Sequence, residues 1–414
     1  MTPLVQIAGP EAELMFRASR ATQTAENRAR IDRLLSAELD WQSFFESVER
    51  NHVAPAIAHT FQVLQPESLP RKVAETLRVR TKITTWKNRR FSDELVRLDE
   101  AFRDAGLTVL HYKGPSAAAR LYGDIGLRTF NDFDFLVERD QLHQVLTLMV
   151  QQGYRNASTL SAEESAYSER EFKEYLYVRD DFRVEPHWSL TARRYPFTID
   201  YAGLWERSVQ MDLGAGSLQV LSPEDECHVL CIVGGKGVWK RYQMVTDIAR
   251  CTSAFPDLDW SGLLARARSV GSERIVLLGL TLAAELAGAR VPEEVRRRAD
   301  RSRAVRRLAQ RVVRSFSGPL PVRSLLPRSA HIFQPELFGM RERRRDRLTY
   351  FWRTTTTPTL LHQRLFPLPG ALRWLYAPLV PAYDYLAFPL LGMAERLVPA
   401  LAARLKSKLR PRSL

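Results

Sequence analysis

VLHYKGPSAAARLYGDIGLRTFNDFDFLV, residues 109–137, holds two short apolar runs joined by a turn and a helix-length stretch. The second run carries Asp132 and Asp134 on either side of Phe133, with Phe130, Phe135, Leu136 and Val137 around them. Side chains of a strand alternate between its faces, so Asp132 and Asp134 point one way and Phe133 and Phe135 the other. Two carboxylates side by side repel each other unless a cation sits between them. Hard divalent ions such as Mg2+ take oxygen ligands in this arrangement. An Asp-x-Asp by itself is usually a surface pair; the apolar flanks and the turn upstream make it a metal-site candidate here.

That turn is Lys113-Gly114-Pro115-Ser116, at the end of the apolar run 107–112. Residues 115–121 read as a short helix with Pro at an early position and Ala in the middle. A Gly turn at a helix start, with Lys beside it and Ser following, is a cradle for phosphate. Pro115 removes one backbone donor from it.

A Gly turn on a helix start, an Asp-x-Asp on the next strand and a lone carboxylate on a later strand resemble the DNA polymerase beta-like nucleotidyltransferase superfamily. More narrowly, the chain resembles the bacterial uncharacterised nucleotidyltransferase family. The matching residues are Lys113-Gly114, Arg128, Asp132/Asp134 and Glu185-Pro186-His187-Trp188. The likeness runs over about residues 40–291 and is most specific between 113 and 188. It implies an α+β fold: a polymerase beta-like core, a mixed sheet with helices on one side, flanked by N- and C-terminal helical regions. It also implies Mg-dependent transfer of a nucleoside monophosphate from an NTP, with ATP as the expected nucleotide. An acceptor oxygen attacks the α-phosphate, pyrophosphate leaves, and two metal ions stabilise both oxygens.

In that reading Asp132, Asp134 and Glu185 are the catalytic carboxylates and the metal ligands, Glu185 lying nearest the acceptor. Lys113, Gly114 and Ser116 face the β- and γ-phosphates. Arg128 braces a carboxylate or a phosphate, since its fork suits either. His187 shares a strand face with Glu185 and either orients it or contacts the base or acceptor; Trp188, on the opposite face, is core. Lys236, from a later helical segment, faces the triphosphate. That segment keeps Lys236, Trp239 and Asp247 but has Val233 and Gly237 where family members carry histidines. Gly234-Gly235-Lys236 lacks the spacing and the Ser or Thr of a Walker-type phosphate loop.

The 414 residues carry a formal net charge of +14, unevenly spread. Residues 296–414 hold 25 Lys+Arg against 6 Asp+Glu, and the remainder 36 against 41. The site-bearing part is therefore mildly acidic, and the basic C-terminal part seeks RNA or an anionic membrane surface, or is a solvated Arg-rich face. Cys227, Cys231 and Cys251 cannot form a disulfide framework and read as core thiols, so a cytoplasmic location is expected, including a peripheral one at the inner face of the membrane. No signal peptide is visible, and the apolar runs 374–383 and 385–394 are too short to span a bilayer.

Four regions are expected: helical 1–105, the catalytic core 106–220, a helical domain 221–290 packed on it, and a basic, Pro-interrupted helical part 291–414. Residues 10–37 have no Gly or Pro after their start and read as helical. Asp40 caps the next helix. Residues 70–105 read as one long helix with Leu77, Ile83, Trp86, Leu95, Leu98 and Phe102 apolar and an Arg/Lys-rich far side, closed by Gly106. Residues 172–178 and 182–190 read as strands joined at Asp180-Asp181, with Pro186 marking an edge position. A strand pair is expected around 214–216, and Ser222-Pro223 starts a helix. The irregular stretch 318–334, the basic cluster 341–347 and the terminal Arg404, Lys406, Lys408, Arg410 and Arg412 complete the chain.

The acceptor is left open. A small-molecule, sugar, lipid-linked or peptide substrate leads; the alternatives are tRNA or a protein hydroxyl, or a degenerate module that only binds nucleotide.

Overall fold

A computed structural model describes residues 9–195, 199–214, 216–317 and 333–388. Residues 10–37 form two helices, α1 (Pro10–Ala18) and α2 (Ala25–Leu35). The break has local causes: the Ser19 hydroxyl donates to the Met15 carbonyl at 2.6 Å, and Thr24 caps α2 by accepting from the Asn27 amide. Asp40 caps α3 (Trp41–Asn51) through the amides of Gln42 and Ser43. After α4 (Ala54–Leu64) comes α5 (Arg71–Asp104), 34 residues long and followed by Gly106 at φ +70°. Leu77, Phe91, Leu95, Leu98 and Phe102 are buried, but Ile83 and Trp86 are 61% and 62% exposed. At 3.6 residues per turn these two positions lie on the far side from the buried ones.

The strands are β1 (Val109–Tyr112), β2 (Phe133–Val137), β3 (Arg155–Asn156), β4 (Tyr177–Arg179), β5 (Phe182–His187), β6 (Val209–Leu213) and β7 (Gly216–Val220). Between them lie α6 (Gly114–Tyr122), α7 (Leu142–Gln151), α8 (Ala162–Glu171) and α9 (Tyr201–Glu206). The strands form one mixed sheet in the order β3-β4-β5-β2-β1-β7-β6. β1 and β2 are antiparallel, while β2 runs parallel to β5 and β1 parallel to β7. Pro186 therefore lies on an interior strand, not at an edge. β4 has only three residues and pairs no further along β5 than Val184, so no regular ladder asks Pro186 for an N–H. The expected strand over 172–178 is correspondingly reduced: α8 runs to Glu171 and β4 begins at Tyr177.

Alternation sorts the two faces. Phe133 and Phe135 turn toward α5, meeting Phe91 and Phe102 edge-on at 6.2 and 5.3 Å between ring centres. Leu110, Tyr112 and Leu136 turn the other way, onto Leu190, Leu204, Leu221 and Val229. The second face also carries Asp134.

The helical layer is α10 (Pro223–Lys236), α11 (Gln243–Ala254), α12 (Trp260–Ser269), α13 (Glu273–Ala287), α14 (Glu293–Arg301) and α15 (Arg303–Ser317). Ser222 caps α10 as expected. Cys227, Cys231 and Cys251 are free and fully buried. A Cβ on Gly234 would run into the buried Trp239 ring, so the Gly-Gly pair serves close packing. The Arg-dense run after 293 is amphipathic: Val305, Leu308, Val312, Val313 and Phe316 are buried.

The chain divides into two compact units, residues 1–158, 173–190 and 197–319, and residues 159–172, 191–196 and 320–414. The first holds the whole sheet. The second joins α8 to α16 (Pro335–Met340), α17 (Arg344–Thr356), α18 (Leu360–Leu365) and α19 (Tyr376–Ala382). Its core includes Met340, Tyr350 and Val380. Arg341, the first residue of the basic cluster 341–347, is wholly buried, its guanidinium stacked 4.2 Å from the Tyr350 ring centre. Residues 318–332 of the irregular stretch and the basic residues from Arg404 onward lie outside the described residues. No described helix is long and apolar enough to cross a membrane.

Candidate active site

The turn between β1 and α6 is held in an uncommon conformation. Lys113 has φ +63° and ψ −158°, a region a side chain rarely enters, and Gly114 follows at φ +50°. Gly114 is required twice. It permits the positive φ, and a Cβ there would lie 3.2 Å from the Asp132 carbonyl oxygen and the Phe133 Cα. The turn thus rests directly on the start of β2. Ser116 is buried and its hydroxyl donates to the Lys113 carbonyl at 2.8 Å.

Two buried ion pairs fix the body of α6. Arg120 reaches Glu226 at 2.5 Å. Arg128, just beyond the helix, forks onto both oxygens of Asp247 at 3.0 and 2.9 Å, and the Tyr122 hydroxyl donates to the same carboxylate at 2.7 Å. Arg128 therefore braces a carboxylate, one of the two roles its chemistry allows. Its partner is Asp247, from the helical segment that the sequence marks with Lys236 and Trp239.

β2 and β5 supply the centre. Their parallel register sets Asp134 opposite Glu185, and His187 lies two residues further on the same face. His187 Nε2 is 2.8 Å from Asp134 Oδ1 and 3.7 Å from Glu185 Oε2. Lys113 Nζ approaches the same Asp134 oxygen at 3.1 Å. Among the described residues, Asp134, Glu185 and His187 form the group that offers ligand atoms all within 4.8 Å of one another. Asp132 stands just before β2, partly buried. The sequence reading brought Asp132, Asp134 and Glu185 together as ligands; in the structure His187 joins the tight group, and Asp132 lies outside it.

Burial drives the Asp132 carboxyl above the usual carboxylate range, helped by the charge of Asp134. Burial acts on Asp134 in the same sense, but Lys113 and His187 outweigh it and hold that carboxyl well below the usual range. Burial and then Lys173 push the His187 imidazole down, so it is neutral near pH 7. Its Nε2 faces Asp134, and Lys173 Nζ lies 3.4 Å from its Nδ1.

Lys173 and Glu174 escaped the sequence reading. An isolated antiparallel bridge sets Glu174 against His187, bringing its carboxylate 3.0 Å from Nδ1 and into contact with Lys173. No periodicity marks these residues; only the pairing with β5 brings them in. Lys236 donates to the Leu190 carbonyl at 3.4 Å, and burial followed by repulsion from Lys113 lowers its amine to about 8. Three amines, Lys113, Lys173 and Lys236, thus bear on one carboxylate group. Tyr112 completes the floor: its ring packs 5.4 Å from His187 and under Lys113 Nζ.

The donors fit a divalent cation. Carboxylates suit hard ions, and an imidazole widens the choice toward transition metals. The surrounding amines suit an anion such as polyphosphate.

The sequence profile of a protein family described as uncharacterised nucleotidyltransferase matches residues 37–288, more than half of the chain. No curated protein and no solved structure matches.

Proposed function

The chain belongs to the uncharacterised nucleotidyltransferase family, within the DNA polymerase beta-like superfamily, and from that premise we propose that it transfers a nucleoside monophosphate from an NTP to an acceptor hydroxyl or phosphate. The observation that carries the reading is the convergence of Asp134, Glu185 and His187 beside the Lys113-Gly114 turn. Asp132, Asp134 and Glu185 are the residues that would hold two Mg2+ ions, with His187 in contact with the group. Bound Mg2+ would neutralise charge on the phosphates and on the attacking and leaving oxygens.

The protein's own groups have separate tasks. Lys113 and Lys236 hold the triphosphate; Lys173 lies beside them, its amine held well below the ordinary lysine range by burial and by the neighbouring amines. Gly114 lets the backbone of the α6 start come close to phosphate. His187 orients Asp134. Glu185, less buried than Asp134, takes the acceptor proton. ATP is the expected nucleotide, and a small, sugar, lipid-linked or peptide acceptor is preferred over tRNA or protein. The nearness of Glu185 to Asp134 favours an active site over a degenerate nucleotide-binding module.

Calorimetric titration with each NTP, with and without Mg2+, tests this beside an Asp132→Ala/Asp134→Ala double variant. Metal-dependent binding that the variant loses is expected. No binding of any NTP by folded wild type, with Mg2+ or Mn2+, overturns the reading.

A further inference from the structure

Val79, Ile83 and Trp86 on α5 are 56%, 61% and 62% exposed. Their spacing follows the helix, so they form one apolar stripe about 10 Å long. Arg78, Lys82 and Arg89 are exposed on the same helix, and the Arg90 guanidinium stacks 4.9 Å from the Trp86 ring centre. The end of the stripe is tied to the segments that lead into β2 and β5. Lys87, next to Trp86, donates to the Phe130 carbonyl at 3.1 Å and to Asn131, the residue before Asp132. Arg90 pairs with Asp181, just before β5, at 2.8 Å.

Aliphatic side chains and a tryptophan set among cations match what an anionic lipid surface offers: apolar burial at the acyl boundary and negative charge at the headgroups. A single-stranded nucleic acid would use cations and stacking aromatics, but Val79 and Ile83 can do neither. We propose that this face of α5 docks the protein on an anionic lipid surface. The docking does not rest on the nucleotidyl-transfer reading.

The test is sedimentation of the full chain with phosphatidylglycerol–phosphatidylcholine vesicles and with phosphatidylcholine vesicles alone, for wild type and an Ile83→Ser/Trp86→Ser variant. Both residues are exposed, so the variant keeps its fold, as circular dichroism and NTP titration check. Wild type is expected to bind the anionic vesicles, and the variant about tenfold more weakly. Brominated lipid quenches wild-type fluorescence, and Trp86→Phe removes part of that quenching. Failure of wild type to bind, or equal binding by the variant, overturns the proposal. So does single-stranded RNA binding that depends on the same two residues and exceeds vesicle binding. If instead NTP titration fails while vesicle binding stands, the reaction is wrong and the docking right.

Discussion

His187 Nε2 lies 2.8 Å from Asp134 Oδ1, across two strands that run parallel. Lys113 Nζ meets the same oxygen from the turn before α6. One buried carboxylate therefore joins three segments that are distant in sequence. It keeps its negative charge because an ammonium and a hydrogen-bonding imidazole outweigh the cost of burial.

Asp134→Asn is expected to remove metal-dependent nucleotide binding and to destabilise the fold. It leaves the Lys113 charge without its partner, a loss of about 3–5 kcal/mol by the usual cost of breaking a buried pair. The stabilisation has a defined pH range. A carboxyl depressed in the folded state contributes fully above its unfolded pKa of about 3.9 and loses that contribution as pH falls below it. Urea unfolding at pH 7 and at about pH 2 checks both statements; a variant as stable as wild type at pH 7 contradicts the first.

Lys236 behaves in the opposite sense. Its folded pKa, about 8, is below the ordinary 10.5, so between these values the unfolded chain binds more protons and stability rises with pH. Below pH 8 the charged amine costs about 3 kcal/mol. Lys236→Met should therefore raise the melting temperature at pH 7, with the gain fading toward pH 10.5. The same variant should weaken NTP binding at least about tenfold at pH 7, the loss of one charge-assisted contact. Melting curves at both pH values and calorimetry at pH 7 separate these effects.

Arg128 and Asp247 form a buried pair that holds the loop before β2 to α11. Arg128→Ala leaves Asp247 buried without its cation and should cost about 3–5 kcal/mol. An Arg128→Met/Asp247→Leu variant should recover most of that loss. NTP affinity of the double variant, measured by calorimetry, should stay within about threefold of wild type, because the fork is already satisfied by Asp247. A much larger fall would assign Arg128 to phosphate.

Gly114→Ala should cost about 1–3 kcal/mol for the positive φ alone. The added methyl also presses on Asp132 and Phe133, 3.2 Å away, and so shifts the start of β2. Mg-dependent nucleotide binding should fall with stability, and a crystal structure of the variant should show Asp132 displaced.

Much of the α+β core was legible in the sequence because its signals are local. Period-two alternation separated Asp134 from Phe133 and Phe135, and Asp40 and Ser222 announced helix starts through their own side chains. The Lys113-Gly114 turn was recognisable as a feature, and the family pattern led to Glu185 and His187. Ile83 and Trp86 misled, since apolar character says nothing about whether a neighbour exists to cover it.

Alone, the sequence determined β1 and β2, the caps at Asp40 and Ser222 and the residue types of the site, since these depend on backbone sterics and on neighbours within a few positions. Only the tertiary structure decided which strands lie side by side. That choice put Pro186 inside the sheet, set Glu185 opposite Asp134 and brought Lys173 and Glu174 to His187. It also gave Arg128 to Asp247 rather than to open solvent. Strand order and register are fixed by burying the apolar face of the whole sheet at once, a balance summed over residues far apart in the chain and not carried by any one stretch.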